Sequence, residues 1–311
     1  MTLLSDAVVT QRIVVNLLLI ALGYGIKRVG LVSRDEGRVI SRIVLYVTLP
    51  AMNLKAISQT ALSWDVLILP MLFLVAGVLA SLVGRWQGRR LDLSRQDMGT
   101  FVVSFCGVMG SLAYPFAEAA FGIEGVRTVA ISDLGNAIAI FAFAYYLSFH
   151  YGGAKGFSVW QVFKKVATFF PLHAFLLAVA LNLGGIKLGG VPGSLVDALA
   201  TLNSPLMLLG LGIYLELDVS RDEGRVLARQ LVSKYAVGGL VAAFALFVLP
   251  FDGSTRAMAF LLPLMPTSLS TLLYSVEQNL NPRMAAMLVS LTMIVSLAIT
   301  MVTVLGFRHA F

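Results

Sequence analysis

The stretch GSLAYPFAEAAFG, residues 110–122, poses the question from which the fold can be worked out. It lies in a long apolar run, residues 98–121, whose length is sufficient to cross a membrane as a helix. Pro115 lacks a backbone N–H, and its ring clashes with the carbonyl four residues earlier in a helix. Glu118 follows within one turn, although a charged side chain inside hydrocarbon costs ~2.5 kcal/mol or more. A membrane helix that is both interrupted and charged predicts a binding site at the interruption.

The composition indicates an integral membrane protein in a lipid bilayer. Of 311 residues, 58% are hydrophobic and 13% are charged, with a mean hydropathy of +0.88; a soluble domain of this size needs far more polar surface. The net charge of +7 falls in short gaps between apolar runs, so it reports topology and not a nucleic-acid partner. A single cysteine, Cys106, excludes an internal disulfide, and the three histidines lack metal-ligand spacing. We therefore expect no metal and no cofactor.

Ten apolar segments are long enough to span the hydrocarbon layer. Their approximate bounds are 8–29, 37–58, 64–84, 98–121, 126–149, 164–184, 193–216, 229–250, 257–275 and 283–307. Most of the 23 Lys and Arg lie in the gaps after the odd-numbered spans, the gap after span 7 being taken to hold Arg221, Arg225, Arg229 and Lys234. By the positive-inside rule these gaps are cytoplasmic, which places both termini outside the inner membrane of a bacterium.

Prolines recur in matching order in the two halves of the chain. Pro50 of span 2 corresponds to Pro205 of span 7, and Pro115 of span 4 corresponds to Pro266 of span 9. Because each half has five spans, the second half is inverted relative to the first. We expect two inverted five-helix repeats, residues 1–152 and 160–311, joined by the loop HYGGAKGFS. Paired broken helices in inverted halves place half-helix ends around a substrate site in secondary transporters.

Polar side chains cluster near the predicted breaks. Ser111 and Glu118 lie around Pro115, Thr267 and Ser270 follow Pro266, Asp133 and Asn136 are neighbours on span 5, and Asn53 follows Pro50. Hydroxyl groups on membrane helices often only allow close packing, and we favour that for the span 10 stripe of Thr292, Ser296, Thr300 and Thr303. The two asparagines have an alternative as interhelical hydrogen-bond partners. The two carboxylates are functional candidates because an unpaired charge in a bilayer is costly.

Three stretches together resemble the auxin efflux carrier family, which includes plant auxin exporters and bacterial malonate and other organic-acid permeases. They are GYGIKRVGLVSRDEGRVISRIVLYVTLPAMNL (residues 23–54), SPLMLLGLGIYLE (204–216) and MPTSLSTLLYSVEQNLNPRMAAMLVSLT (265–292). The resemblance covers nearly the whole chain in order, and the lack of a long central loop is similar to the bacterial permeases.

The resemblance implies an all-α membrane fold of ten helices in two inverted repeats, similar to that of the bile-acid symporters. Spans 1, 2, 6 and 7 would form a scaffold, and spans 3–5 and 8–10 a transport domain whose broken helices 4 and 9 cross at the site. Family members bind a carboxylate at that crossing. This chain departs from the family at Val108, where members commonly have Asn seven residues before the proline of span 4.

These observations predict a secondary transporter of a small mono- or dicarboxylate that works by alternating access. The predicted substrate-binding residues are Asn53, Ser111, Pro115, Pro266, Thr267 and Ser270, and the predicted coupling-ion residues are Asp133, Glu118 and Asn136. The coupling ion is a proton or a sodium ion. The alternatives are a sodium-coupled symporter of the bile-acid type and a channel; an enzyme is disfavoured because HExxH, GxSxG and an acidic metal cluster are lacking. The sequence leaves the oligomeric state open, a homodimer included.

Overall fold

A computed structural model describes residues 6–33, 36–58, 68–153, 158, 160, 163–164, 167–168, 170–215, 224–251 and 253–310. Helices account for nearly all of these residues. Within them, an isolated antiparallel β-bridge pairs Val108 with Thr267. Residues 154–157, within the loop predicted to join the two repeats, lie outside the described residues, as do residues 216–223 of the basic loop after span 7.

The first half of the chain folds as a series of apolar helices. Their bounds are α1 Asp6–Arg28, α2 Gly37–Ile43, α3 Leu49–Ser58, α4 Ile68–Arg89, α5 Arg95–Val103, α6 Ala113–Ile138 and α7 Tyr145–Gly152. A π-helical segment, Val44–Thr48, joins α2 to α3, and another, Ala139–Ala144, joins α6 to α7. Each π-helical segment therefore continues one helix into the next as a locally widened turn.

The described helices of the second half run from residue 170. Their bounds are α8 Phe170–Leu183, α9 Gly190–Tyr214, α10 Gly224–Phe247, α11 Gly253–Leu261, α12 Ser270–Glu277 and α13 Pro282–Ala310. Because α10 begins at Gly224, Lys234 lies within this helix, and its side chain is only 6% exposed. The assignment of Arg225, Arg229 and Lys234 to the gap after span 7 is wrong, because the basic run of this region continues into the helix.

Six helical segments in the described ranges are long and apolar enough to cross a membrane. One of them, Gly110–Gly152, has 43 residues, about twice the ~20 that one crossing needs. It bends at Gly122, whose φ of 60° and ψ of −146° interrupt the helix; a residue without a Cβ adopts this conformation readily. These features confirm an all-helical membrane protein, while the ten-span inverted repeat stays a prediction.

Two helices are interrupted at the centre of the molecule. Residues 104–109 separate α5 from a 3₁₀ turn, Gly110–Leu112, that leads into α6. Residues 265–269 separate a second 3₁₀ turn, Leu262–Leu264, from α12. Both interruptions were predicted, and residues 104–109 and 265–269 are called the first and second break below.

The prolines relate to the two breaks differently. Pro266 lies inside the second break, as predicted. Pro115 lies in the first turn of α6, after the first break, where an N–H would have no helical acceptor and its loss costs little. The prediction that Pro115 itself breaks the helix is wrong; the break precedes it and includes Gly107.

Glycines bring a long helix against each interrupted one. A Cβ on Gly77 of α4 would lie 2.5 Å from the carbonyl oxygen of Cys106 in the first break. A Cβ on Gly238 of α10 would lie 2.5 Å from the carbonyl oxygen of Pro263, just before the second break. Both contacts are closer than a real Cβ allows, so the two breaks are each held by a helix that has no side chain at the contact.

Candidate functional site

The two breaks lie side by side and hydrogen-bond to each other. The backbone N–H of Met109 donates to the carbonyl of Pro266 at 2.7 Å. Val108 and Thr267 form the isolated antiparallel bridge at the same place. Backbone groups that no helix satisfies are costly in a bilayer, so each break supplies partners for the other. We call this pairing the crossing.

Asn136 on α6 completes the first break. Its Oδ1 accepts the N–H of Val108 at 2.9 Å, and its Nδ2 donates to the Val108 carbonyl at 2.9 Å. The same Nδ2 donates to Asp133 Oδ1 at 2.7 Å. The Asn136 amide therefore hydrogen-bonds the Val108 backbone as a neighbouring strand would. Both bonds are made by backbone groups of Val108, so they do not depend on its side chain. The sequence predicted an ion-coupling role for Asn136; the structure places its polar groups in these three bonds.

Thr267 of the second break is held in the same manner. Its N–H donates to Thr292 Oγ1 at 3.0 Å, and its own hydroxyl donates to the Ser104 carbonyl at 3.3 Å. Gln230 Nε2 lies 3.4 Å from that hydroxyl. The side chain is fully buried, so the structure places the Thr267 hydroxyl within the crossing and not on an open wall.

A cavity of about 320 Å³ lies between the crossing and helices α2, α3 and α9. Four predicted site residues line it: Ser111, Asp133, Asn136 and Ser270. The rest of the wall is mainly apolar, with side chains such as Leu45, Leu49 and Met207. An apolar cavity with a few convergent polar groups is the usual form of a small-molecule site. We call it the central cavity.

The start of the 3₁₀ turn brings backbone donors to the central cavity. Gly110 and Ser111 line the cavity, and among the described residues no acceptor pairs with their N–H groups. A Cβ on Gly110 would overlap Asp133 Oδ1 and lie 3.0 Å from its Cγ. Glycine at this position therefore lets the Asp133 carboxyl group approach the half-helix start closely.

Asp133 also borders a second, smaller cavity of about 170 Å³. Asn53 of α3 lines this space and accepts a hydrogen bond from the Tyr114 hydroxyl at 3.1 Å. Asn53 thus lies next to the central cavity, at the contact between α3 and α6, and does not line it. The sequence grouped Asn53 with Asp133, and both line this cavity together with Tyr114, which is not among the predicted site residues.

Glu118 and Pro115 lie in a third cavity of about 430 Å³, away from Asp133. Ser204 of α9 donates to Glu118 Oε2 at 2.6 Å. Asn16 of α1 donates to the Pro115 carbonyl at 3.2 Å. Arg12 also lines this cavity. The structure therefore separates two residues that the sequence had placed at the crossing.

Several residues at the crossing were not anticipated. Gln230 and Lys234 of α10 lie beside it. Thr292 of α13, for which the sequence predicts a role in helix packing, accepts a hydrogen bond from the backbone N–H of Thr267. Spacing along one helix does not show which distant helix meets a break. The one available signal is that Gln230 and Lys234 stand at the start of an apolar run whose later residues carry no charge.

Comparison with known proteins gives a family match over most of the chain. A protein-family model described as "Membrane transport protein" matches residues 8–304. An uncharacterized transporter of Methanothermobacter thermautotrophicus is 27% identical over 293 residues, which is 93% of this chain and 95% of the relative. An uncharacterized transporter of Methanocaldococcus jannaschii is 28% identical over 213 residues, 65% of this chain and 68% of the relative.

Proposed function

The chain belongs to the membrane transport protein family, the family of the auxin efflux carriers, and from that premise we propose that it is a secondary transporter of a small organic anion. The family resemblance predicted from sequence is confirmed. Its two archaeal relatives are described as transporters. The substrate class, a mono- or dicarboxylate of malonate-like size, is our inference from the site.

The observation that carries this proposal is the central cavity beside the paired breaks. A carboxylate there would accept hydrogen bonds from the unpaired N–H groups of Gly110 and Ser111 and from the hydroxyls of Ser111 and Ser270. The N-terminal end of α6 adds partial positive charge at the same place. Thr267 and Pro266 contribute by holding the backbone of the crossing.

Asp133 is our candidate for carrying a coupling proton. It lies on the wall of the central cavity and, in the described part of the chain, forms no ion pair. The alternative, a sodium ion at carbonyls of the crossing, is less well supported, because the Val108, Pro266 and Ser104 carbonyls already accept hydrogen bonds. We therefore favour proton coupling over sodium coupling.

For movement we propose a scaffold of α1–α3, α8 and α9 and a transport domain of α4–α7 and α10–α13. The central cavity extends to Ile40 and Tyr214, near helix ends that lead into basic loops. On the opposite side, the Ser204–Glu118 and Asn16–Pro115 bonds join the scaffold to the transport domain. With the basic loops in the cytoplasm and both termini outside an inner membrane, this conformation faces inward.

Uptake into proteoliposomes tests the proposal. Purified protein would be reconstituted and offered labelled malonate and other C3–C5 mono- and diacids, with imposed pH or sodium gradients and protein-free vesicles as the control. We expect saturable uptake of at least one of these anions that a pH gradient stimulates. Lack of uptake of every acid under all gradients, in vesicles with folded protein, would contradict the proposed function.

A further inference from the structure

A buried lysine on α10 is an ionisable group that the proposed mechanism leaves unused. Lys234 is 6% exposed and borders a small cavity of about 40 Å³ beside the crossing. Gly107 and Val108 of the first break and Asn136 of α6 line the same space. An ionisable side chain at membrane depth is a candidate for function, since the hydration lost on burial has to be offset by some other interaction.

In the part of the chain that the structure describes, no carboxylate forms a salt bridge with Lys234; the Asp133 carboxyl group lies on the far side of Asn136, to which it is hydrogen-bonded. The salt bridges in that part join Lys55 to Asp197 and Arg127 to Glu124. Toward the small cavity, α4 and the second half of the chain present uncharged residues: Phe73, Ala76, Gly77, Ala80 and Pro263. Cys106, whose thiol is buried, belongs to the same first break as Gly107 and Val108.

The central cavity lies on the other face of the same backbone. Val108 and Asn136 line both the small cavity of Lys234 and the central cavity. A carboxylate in the central cavity would thus be separated from the small cavity of Lys234 by the width of the Val108–Asn136 pair. In a medium of low dielectric constant a charge acts over such a distance without direct contact.

We propose that Lys234 supplies the positive charge by which this transporter selects anions, acting through the Val108–Asn136 pair. The bound substrate supplies a counter-charge in addition to Asp133, which lies on the cavity side of the same pair. This inference rests on the proposed function, because it names the residue that makes the central cavity favour anions over neutral molecules of the same shape.

The proposal predicts an effect that scales with ligand charge. At a separation on the order of 10 Å and an effective dielectric constant of ~20, one charge changes the affinity for a monoanion roughly tenfold. A dianion feels the same potential twice, so its affinity changes by roughly the square of that factor. A neutral analogue is unaffected. A purely structural role of Lys234 would change all three affinities alike.

The test measures binding of malonate, its monoamide and its diamide to the detergent-purified protein by isothermal titration calorimetry at a pH where malonate is a dianion. The variants are Lys234→Met and, in case that variant fails to fold, Lys234→Gln; Lys234→Arg retains the charge. The matched control is Lys187→Met, which removes the same charge from an exposed lysine in the loop before α9. Thermal unfolding confirms that each variant is folded.

We expect Lys234→Met to weaken malonate binding about a hundredfold and monoamide binding about tenfold, with diamide binding and Lys187→Met unchanged. Lys234→Arg should keep the preference for the dianion. Equal losses for all three ligands, or no loss, in a folded Lys234 variant would overturn the inference while leaving the proposed function intact. If the wild-type protein binds and transports none of the acids, the proposed function fails and this inference fails with it.

Discussion

At the scale of single residues, Gly110 determines how close a carboxyl group can come to the half-helix start. Its α-carbon lies so near Asp133 that a methyl group would overlap Oδ1. This position lacks the positive φ that often explains a glycine. Space, and not backbone conformation, is therefore the reason that glycine is required.

Gly110→Ala should move the Asp133 carboxyl group away from the crossing and weaken its bond with Asn136. We expect a loss of ~1–3 kcal/mol in unfolding free energy, as for other overpacked sites, and at least a tenfold loss in substrate affinity. Chemical denaturation in detergent and ligand binding measure the two effects. Gly25→Ala is the control, since a Cβ there meets nothing within 4 Å; equal behaviour of the two variants would refute the steric account.

Asp133→Asn tests the coupling role at the same scale. An amide keeps the size of the side chain and an acceptor for Asn136, but it does not take up a proton. We expect substrate binding to persist within a few-fold, while stimulation of uptake by a pH gradient falls at least tenfold.

Glu118→Gln is the matched change in the third cavity, where it keeps an acceptor for Ser204. Its pH-gradient stimulation should equal that of the wild type. A coupled Asp133→Asn variant together with an uncoupled Glu118→Gln variant would show that the coupling residue is Glu118 and that our assignment is incorrect.

At the scale of helices, contacts between α1, α6 and α9 hold the proposed outer side closed. The Ser204 hydroxyl of α9 donates to Glu118 Oε2 of α6 at 2.6 Å. A hydrogen bond to a charged group contributes ~1.5–3 kcal/mol to the stability of the conformation that contains it. In an alternating-access cycle this bond has to break before the central cavity can open to the other side. Its loss should therefore change the balance between the two conformations.

Ser204→Ala should shift the population toward the outward-facing state by about tenfold, as expected from losing one such bond. The readout is the alkylation rate of a cysteine introduced at Ser41, which lines the central cavity near its inner end; we expect this rate to fall. Thr201→Ala serves as the control, since Thr201 lies on the same helix and its hydroxyl donates to the Asp197 carbonyl one turn earlier. An unchanged rate in Ser204→Ala would show that the bond does not hold the inward-facing state.

At the scale of the whole molecule, the apolar runs predicted where the helices lie, because a membrane imposes length and hydrophobicity on each of them. The two interrupted helices were also predicted, and Pro266 marks one of them correctly. Pro115 marked the other incorrectly, because proline is tolerated in a first helical turn. The first break itself, residues 104–109, contains no proline, so the prolines of the sequence could not locate it.

The partners of the breaks were harder to predict than the breaks themselves. Asn136 and Asp133 were recognised because amides and carboxylates are rare in apolar helices. Thr292, Gln230 and Lys234 were missed, since their role depends on which distant helix lies against the crossing, and Lys234 stood in a basic run that also fits a loop. The sequence therefore identified polar candidates within each apolar segment better than it identified the residues of distant helices that contact them.

The central claim is that the anion binds in the central cavity beside the crossing, and cysteine protection tests it most directly. In a Cys106→Ala background, Ser270→Cys places a thiol in that cavity, while Gln11→Cys places one in the third cavity. Both would be labelled with a thiol reagent with and without malonate, or whichever acid is transported. The account predicts that substrate slows labelling of the cysteine at position 270 at least tenfold and leaves the one at position 11 unchanged. Protection at position 11 alone, or at neither position with a transported substrate, would contradict it.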